Sequence, residues 1–344
     1  MYEIDALRVL GAAGVVLYHY TFRGAVVDGV RATEFPVIEL ATRYGYLGVN
    51  LFFMLSGFVI LFSALRKSPL DFVLSRMDRL YPAYWAAVTL TTLTAILLTG
   101  TTISLSQYLM NLTMINDYFN VPPIDYIYWT LHVELKFYFL IFLLVLLRQI
   151  RNHHVWLPLW LGLALLYKVS GHPFFFGWII NPFYSCYFIS GIVFFLIRSR
   201  GVTWQRMCLL AVSYLFSVYL SVGQVDGFIN EPTHIDRIVA PVLVTLLYLV
   251  FYMIATRKLT FTGPAFLAAA GAVTYPVYLL HTRIGKTIYD CYSPYMPKYV
   301  LLGVIIAFIL LLAYAVHALI ERRFTGRLKG VLARAFPVRF LMDR

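Results

Sequence analysis

Long apolar segments separated by short polar and basic ones define the pattern of this chain. Most of these segments approach the roughly 20 residues that a helix needs to cross the hydrocarbon core of a bilayer. The pattern predicts an all-α integral membrane protein with about ten transmembrane helices, over 7–22, 46–65, 81–98, 128–147, 155–167, 178–197, 207–222, 238–255, 264–280 and 299–320. The fifth segment is short enough that a re-entrant helix stays open as an alternative.

Composition agrees with this pattern. Hydrophobic residues make up 61% of the 344 residues and charged residues 13%, with a mean hydropathy of +0.77, which excludes an ordinary soluble domain. The formal charge of +12 lies in short loops and in the C-terminal tail, which is typical of membrane topology rather than of nucleic-acid binding. The three cysteines are widely spaced in apolar surroundings, so we predict neither a disulfide framework nor a metal site.

The distribution of basic residues predicts the orientation. With ten spans and an internal N-terminus, 18 lysines and arginines lie on the cytoplasmic side and eight on the outside, so both termini are predicted to be cytoplasmic. We therefore expect a membrane domain over 1–323 and a basic cytoplasmic tail over 324–344. The tail alternates apolar residues with arginines, which fits an interfacial helix on the inner leaflet and equally a solvated tail.

Two ionisable side chains lie in the first apolar segment. Arg8 and His19 are eleven residues apart, so on a helix they fall within about 20° of each other, roughly 16 Å apart along the axis. Ionisable groups inside a membrane span are costly and are usually functional, and imidazole is well suited to proton transfer near neutral pH. We expect His19 to act as a base. A buried histidine bonded to a neighbouring helix is the alternative.

The fourth segment carries the densest charge of any span. His132, Glu134 and Lys136 fall within five positions, which no lipid-facing surface would tolerate. Glu134 is expected at a depth similar to that of His19, where a carboxylate would raise the basicity of the ring and fix its tautomer. An ion pair between Glu134 and Lys136, or with an arginine, is the structural alternative.

Two arginines before the third segment suggest a phosphate site. Arg76 and Arg79 are three residues apart and would share one face of a helical turn. Forked guanidiniums at the inner membrane surface can clamp phosphate, and Arg8 could join them. Positive charge that only sets topology is the simpler explanation of the pair.

Taken together, these motifs resemble the membrane acyltransferase 3 family, whose members acylate sugars and related hydroxyls from acyl-coenzyme A. The resemblance rests on six patterns in the family's order across nearly the whole chain: Arg8 with His19, 48–58 (GVNLFFMLSGF), 76–82 (RMDRLYP), Trp129-Thr130-Leu131 with Glu134 and Tyr138, 274–281 (TYPVYLLH), and Glu321-Arg322-Arg323-Phe324. One departure is that the family's last glutamate is often followed by proline, whereas Arg322 follows Glu321 here.

The resemblance implies a function and a set of site residues. It implies an O-acyltransferase of the bacterial plasma (inner) membrane that moves an acyl group, acetyl by preference, from cytoplasmic acyl-CoA to a sugar or glycan hydroxyl at the outer side. No cofactor would be bound permanently, because acyl-CoA is a co-substrate. The implied roles are catalysis for His19 and Glu134, coenzyme binding for Arg8, Arg76, Arg79 and Tyr81, and substrate binding for Trp129 and His281.

A transporter or flippase for a glycan or lipid-linked glycan is the competing class. In it, His19 and Glu134 would relay protons. The acceptor, the acyl group and the order of transfer are not encoded in any pattern of the sequence.

Overall fold

A computed structural model describes residues 1–23, 35–171, 177–178, 180–263, 265–324, 326 and 330. Within those ranges the regular structure consists of α-helices with short 3-10 and π-helical turns, and no residue there is in a strand. The all-α class is confirmed.

Each predicted segment overlaps one long helix, and we number these helices accordingly. They are α1 Tyr2–Tyr18, α2 Leu47–Ala64, α3 Pro69–Thr99, α4 Trp129–Leu146, α5 His153–Val169, α6 Ser185–Arg200, α7 Trp204–Phe228, α8 Asp236–Ala255, α9 Ala265–Tyr292 and α10 Lys298–Val316. Shorter helices cover Glu39–Thr42, Leu105–Leu112 and Arg322–Phe324.

Seven of the described helices are long and apolar enough to cross a bilayer. They are α2, α3, α4 with the 3-10 turn before it, α7, α8, α9, and α10 with the turns after it. The protein is therefore a multi-pass membrane protein. Helices α1, α5 and α6 have 17, 17 and 16 residues, below the 18 residues that each of these seven reaches. Ten spans and cytoplasmic termini stay predictions.

Helix α3 begins twelve positions before the predicted start of its segment. Ser68 caps it by accepting a hydrogen bond from the Asp71 backbone N–H at 3.1 Å, and Pro69 occupies the first turn, where no N–H is needed. Gly100, at φ +64°, ends the helix. Arg76 and Arg79 consequently lie on a helix and not in a loop, and their three-residue spacing places them on one side of it.

Two compact units make up the chain. The first comprises Met1–Arg66 and Trp129–Thr274, and the second comprises Lys67–Tyr128 and Tyr275–Arg344. The boundary between them falls inside α9.

Helix α2 is the most buried of the seven candidate spans, and glycines let its neighbours approach closely. A Cβ on Gly57 would overlap the backbone oxygen of Phe188 in α6, and a Cβ on Gly191 would overlap that of Met54 in α2. On the other side of α2, a Cβ on Gly48 would come within 2.6 Å of the Gly11 oxygen in α1. Small residues at helix crossings give close backbone packing, which is a main source of stability between helices in lipid.

Buried hydroxyl groups connect α6, α7 and α8. The Tyr248 hydroxyl lies 2.7 Å from the Ser190 and the Ser217 hydroxyls, and all three residues are buried. Such interhelical hydrogen bonds satisfy polar groups that have no access to water. They hold the helices around α2 in one register.

The predicted tail over 324–344 lies mostly outside the described residues, of which it contains Phe324, Gly326 and Gly330. Its interfacial or solvated character is not tested by the structure.

Candidate active site

His19 lies where α1 changes from an α-helix to a π-helical turn over His19–Arg23. Its Nδ1 is 2.9 Å from the Val15 carbonyl oxygen. Because a carbonyl only accepts, Nδ1 donates, and in the neutral ring the lone pair is then on Nε2. The Tyr18 ring packs edge-on against the imidazole with 5.1 Å between ring centroids. The first helix therefore fixes both the tautomer and the orientation of a partly buried base.

Arg8 lies near the start of α1, on the same continuous helix. Its guanidinium donates to Asp5 at 3.0 Å, and the terminal amine of Met1 lies 3.7 Å from the other oxygen of that carboxylate. The Arg8 side chain is 23% exposed. Because α1 is uninterrupted from Tyr2 to Tyr18, the expected shared face of Arg8 and His19 follows from helical geometry. Arg8 is accordingly one member of an ion-paired group at the start of the helix.

Glu134 is held by two hydroxyl groups. Ser56 on α2 donates to its Oε1 at 2.8 Å, and Tyr138, one turn further along α4, donates to the same atom. The two donors therefore fix the position of this carboxyl group between α2 and α4. The structure thus supplies partners for Glu134 that the sequence did not indicate, whereas its expected contact with His19 stays a prediction.

The motif over 48–58 contributes a second polar group to the membrane interior. Asn50, which is 2% exposed, donates to the Gln224 Oε1 at 2.9 Å and to the Tyr187 hydroxyl at 3.1 Å. These bonds connect α2 with α7 and α6. The sequence places Asn50 in the motif but predicts no role for it. A carboxamide in a highly apolar helix marks such a residue, but it is equally typical of ordinary helix packing.

Trp129 begins α4 and packs against Tyr184, with 5.7 Å between ring centroids. Tyr184 in turn lies 4.9 Å from Phe53 of α2. The three rings form one packed aromatic cluster within the first unit. A substrate-binding role for Trp129 stays a prediction.

In the second unit, the side chains of Arg76 and Tyr81 pack along α3. The Arg76 guanidinium lies 5.9 Å from the centre of the Phe72 ring. The Tyr81 hydroxyl donates to the Thr113 carbonyl at 3.0 Å, and its ring meets Trp85 at 5.4 Å. These contacts give Tyr81 a structural function in fixing the turn at Thr113. Coenzyme binding by Arg76, Arg79 and Tyr81 is not tested by the structure.

His281 lies inside α9 and not beyond the end of a span, because that helix continues to Tyr292. It is fully buried, and its Nδ1 donates to the Tyr278 carbonyl at 2.8 Å. The ring therefore has the same tautomer as His19, with the lone pair on Nε2. Its role in substrate binding stays a prediction.

The sequence did not indicate a role for Asp125, a buried carboxylate bound to Thr282, the residue that follows His281. Asp125 accepts hydrogen bonds from the Thr282 hydroxyl, from the Arg283 backbone N–H at 2.9 Å and from the Ile127 backbone N–H at 3.1 Å. Burial raises the pKa of this carboxyl, and the hydrogen bonds act in the opposite direction. Asp125 therefore attaches the segment that precedes α4 to helix α9. The sequence carries no signal for this role beyond one acid after the Pro122-Pro123 pair.

Among the residues that the structure describes, no three His, Cys, Asp or Glu side chains are grouped closely enough to hold a metal ion.

Comparison with known proteins gives the site a context. The family model of the acyltransferase domain of acyltransferase 3 proteins matches residues 1–318. The peptidoglycan O-acetyltransferase OatA of Listeria monocytogenes serovar 1/2a (strain ATCC BAA-679 / EGD-e) is 28% identical over 190 residues, which cover 48% of this chain and 28% of that protein. No solved structure matches the chain. The family match covers most of the described helices, so the chain belongs to the acyltransferase 3 family of acyl-transferring membrane enzymes.

Proposed function

We propose that this protein transfers an acyl group, with acetyl as the first choice, from cytoplasmic acyl-CoA to a hydroxyl of a sugar or glycan at or beyond the outer side of the bacterial inner membrane. The observation that carries the proposal is the hydrogen bond from His19 Nδ1 to Val15, because it leaves the basic lone pair of the neutral ring on Nε2. The relative OatA is a peptidoglycan O-acetyltransferase, which supports a glycan as acceptor.

The proposed reaction begins when His19 Nε2 removes the proton of the acceptor hydroxyl. The oxygen attacks the thioester carbonyl, the C–S bond breaks, and the thiolate leaves and takes the proton back from the imidazolium. The products are an O-acyl ester and free coenzyme A. Glu134 contributes negative charge that favours the imidazolium.

Coenzyme binding is the part of the proposal that rests on sequence alone. Arg8, Arg76 and Arg79 are assigned to the phosphates and Tyr81 to the same ligand, while Trp129 and His281 are assigned to the substrate. Guanidinium groups suit this role because each forms two parallel hydrogen bonds with a phosphate.

The test uses the full-length protein in lipid nanodiscs with radiolabelled acetyl-CoA and cell-envelope glycans. We expect labelled glycan and an equal amount of free coenzyme A. The variant His19→Ala should lose about 100-fold or more of the transfer rate while keeping its thermal stability. The matched control is His234→Ala, since His234 is an exposed histidine outside the helices, and it should retain full activity.

Two results would overturn the proposal. One is full transfer activity in His19→Ala. The other is proton-driven uptake of a glycan into vesicles without consumption of the thioester, which is the result expected for a transporter or flippase that uses His19 and Glu134 as a proton relay.

A further inference from the structure

Asp78 connects α3 to the chain that follows α10. Both of its carboxylate oxygens accept the backbone N–H of Gly326 at 2.8 Å, and the side chain is 7% exposed. On a helix, Asp78 is rotated by about 200° from Arg76 and about 100° from Arg79. Asp78 therefore lies on the opposite side of α3 from Arg76 but only about a quarter turn from Arg79, and its carboxylate is bound to a backbone donor.

A second contact holds the same segment to the same helix. The π-helical turn His317–Glu321 packs against α3, and Arg322–Phe324 follows it directly. The short helix is thus enclosed between two attachments to α3. Gly326 is three residues beyond Arg323, so their Cα atoms are at most about 11 Å apart. Arg322 and Arg323 consequently lie close to the turn that carries Arg76 and Arg79.

The acidic groups Asp78 and Glu321 have local partners, whereas three of the four arginines, Arg79, Arg322 and Arg323, are exposed. Glu321 Oε2 lies 2.6 Å from His317 Nδ1, and Asp78 is bound to Gly326. Arg322 and Arg323 are both exposed. Four guanidiniums therefore share a region in which two carboxylates are already engaged, a composition that favours a ligand with several negative charges.

We propose that Arg322 and Arg323 complete a single phosphate-binding site with Arg76 and Arg79, and that Asp78 is the positioning residue that holds the two pairs together. The site takes a ligand with separate phosphate groups, and under the proposed function, on which this inference rests, that ligand is coenzyme A with its diphosphate and 3′-phosphate. The arginine that follows Glu321, where the family often has proline, then has a function in this chain.

The first experiment measures binding of coenzyme A and of 3′-dephospho-coenzyme A by calorimetry, with the full chain in nanodiscs of neutral lipid. We expect R322Q/R323Q to weaken coenzyme A binding by about tenfold or more, as the loss of charge-assisted hydrogen bonds to phosphate predicts. The control R334Q/R339Q removes the same charge further along the chain and should bind like the wild type. Unchanged affinity in R322Q/R323Q, or an equal loss in the control, overturns the proposal.

The variant Asp78→Ala distinguishes a positioning role of Asp78 from a purely electrostatic effect of its charge on phosphate binding. Removing a carboxylate beside two arginines would tighten phosphate binding if charge alone mattered, whereas loss of the Gly326 attachment should weaken it several-fold. Gly326→Pro removes the N–H donor without changing any charge, and because proline cannot adopt the φ of +86° at Gly326, it should weaken binding at least as much as Asp78→Ala. Tighter binding in Asp78→Ala, or wild-type binding in Gly326→Pro, would count against the positioning role.

Two further measurements are needed. One distinguishes lipid phosphate from the phosphates of coenzyme A, and the other distinguishes failure of the proposed function from failure of the present inference. In nanodiscs that contain phosphatidylglycerol, lipid headgroups would compete with the coenzyme. If R322Q/R323Q changes the affinity for these headgroups and not for coenzyme A in neutral lipid, the coenzyme assignment is wrong. If the wild-type protein binds no coenzyme A, the proposed function fails. If the wild type binds it and the variants bind equally well, only the present inference fails.

Discussion

Ser56 on α2 donates a hydrogen bond to Glu134 on α4 across 2.8 Å, and Tyr138 donates to the same carboxylate oxygen. The serine directly precedes Gly57, whose missing side chain lets α6 pack against α2. One short stretch of α2 therefore sets both the packing of a neighbouring helix and the orientation of an intramembrane carboxylate. This relationship accounts for the Ser-Gly pair in the motif over 48–58 by packing and hydrogen bonding.

Glu134→Gln keeps the shape of the side chain and removes its charge. We expect kcat to fall by about 10- to 100-fold with KM nearly unchanged, since a charge-assisted interaction contributes about 1.5–3 kcal/mol. Ser56→Ala, which removes one of two donors, should have a smaller effect in the same direction. Steady-state transfer kinetics measure both, with the exposed Glu231→Gln as control. Unchanged kinetics in Glu134→Gln would exclude Glu134 from the reaction.

Gly57→Ala should destabilise the protein. The added methyl group would overlap the Phe188 backbone oxygen, and forcing extra atoms into a packed interface costs about 1–3 kcal/mol. The matched control is Gly303→Ala on α10, where a Cβ meets nothing within 4 Å. Thermal unfolding in detergent, followed by size-exclusion fluorescence, compares the two variants. Equal melting temperatures would show that the close approach of α2 and α6 is not required.

Asp125→Ala should also be destabilising, by about 3–5 kcal/mol, because it leaves two buried donors and one partly buried donor without their acceptor. The exposed Asp117→Ala serves as control and should change stability by less than about 0.5 kcal/mol. The comparison is made by chemical denaturation in micelles. If the two variants have the same free energy of unfolding, the hydrogen bonds between Asp125 and α9 do not contribute measurably to stability.

The ten-helix topology predicts opposite accessibility for two exposed positions that lie between predicted spans, Ser106 and Gln149. In a background without the native cysteines, Ser106→Cys should react with a membrane-impermeant maleimide on intact cells, because its loop is predicted to be outside. Gln149→Cys should react only after the membrane is opened. Labelling of both positions from the same side would require an even number of crossings between them and a revised topology.

The apolar pattern was sufficient to predict the long helices, because a backbone in lipid must satisfy its hydrogen bonds within each segment. Helix ends were less predictable. The start of α3 depends on the Ser68 cap and Pro69, twelve positions before the apolar run begins, and the end of α9 lies beyond an ionisable stretch that hydropathy reads as a loop.

Some residues of the candidate site could be recognised from the sequence, whereas their hydrogen-bond partners could not. His19, Arg8 and Glu134 stand out in the sequence because ionisable groups are rare in apolar spans. Their partners do not, since Val15 and Ser56 are ordinary residues that acquire a role only when a helix turn or a neighbouring helix brings them into hydrogen-bonding distance.

The sequence by itself thus determined the membrane class, the positions of the helices and the residues that carry charge into them. Only the tertiary structure decided that Ser56 meets Glu134, that Asp125 meets Thr282 and that Asp78 meets Gly326. These pairs are separated by 78, 157 and 248 positions, and such distant contacts depend on how helices pack, which local hydropathy and spacing do not specify.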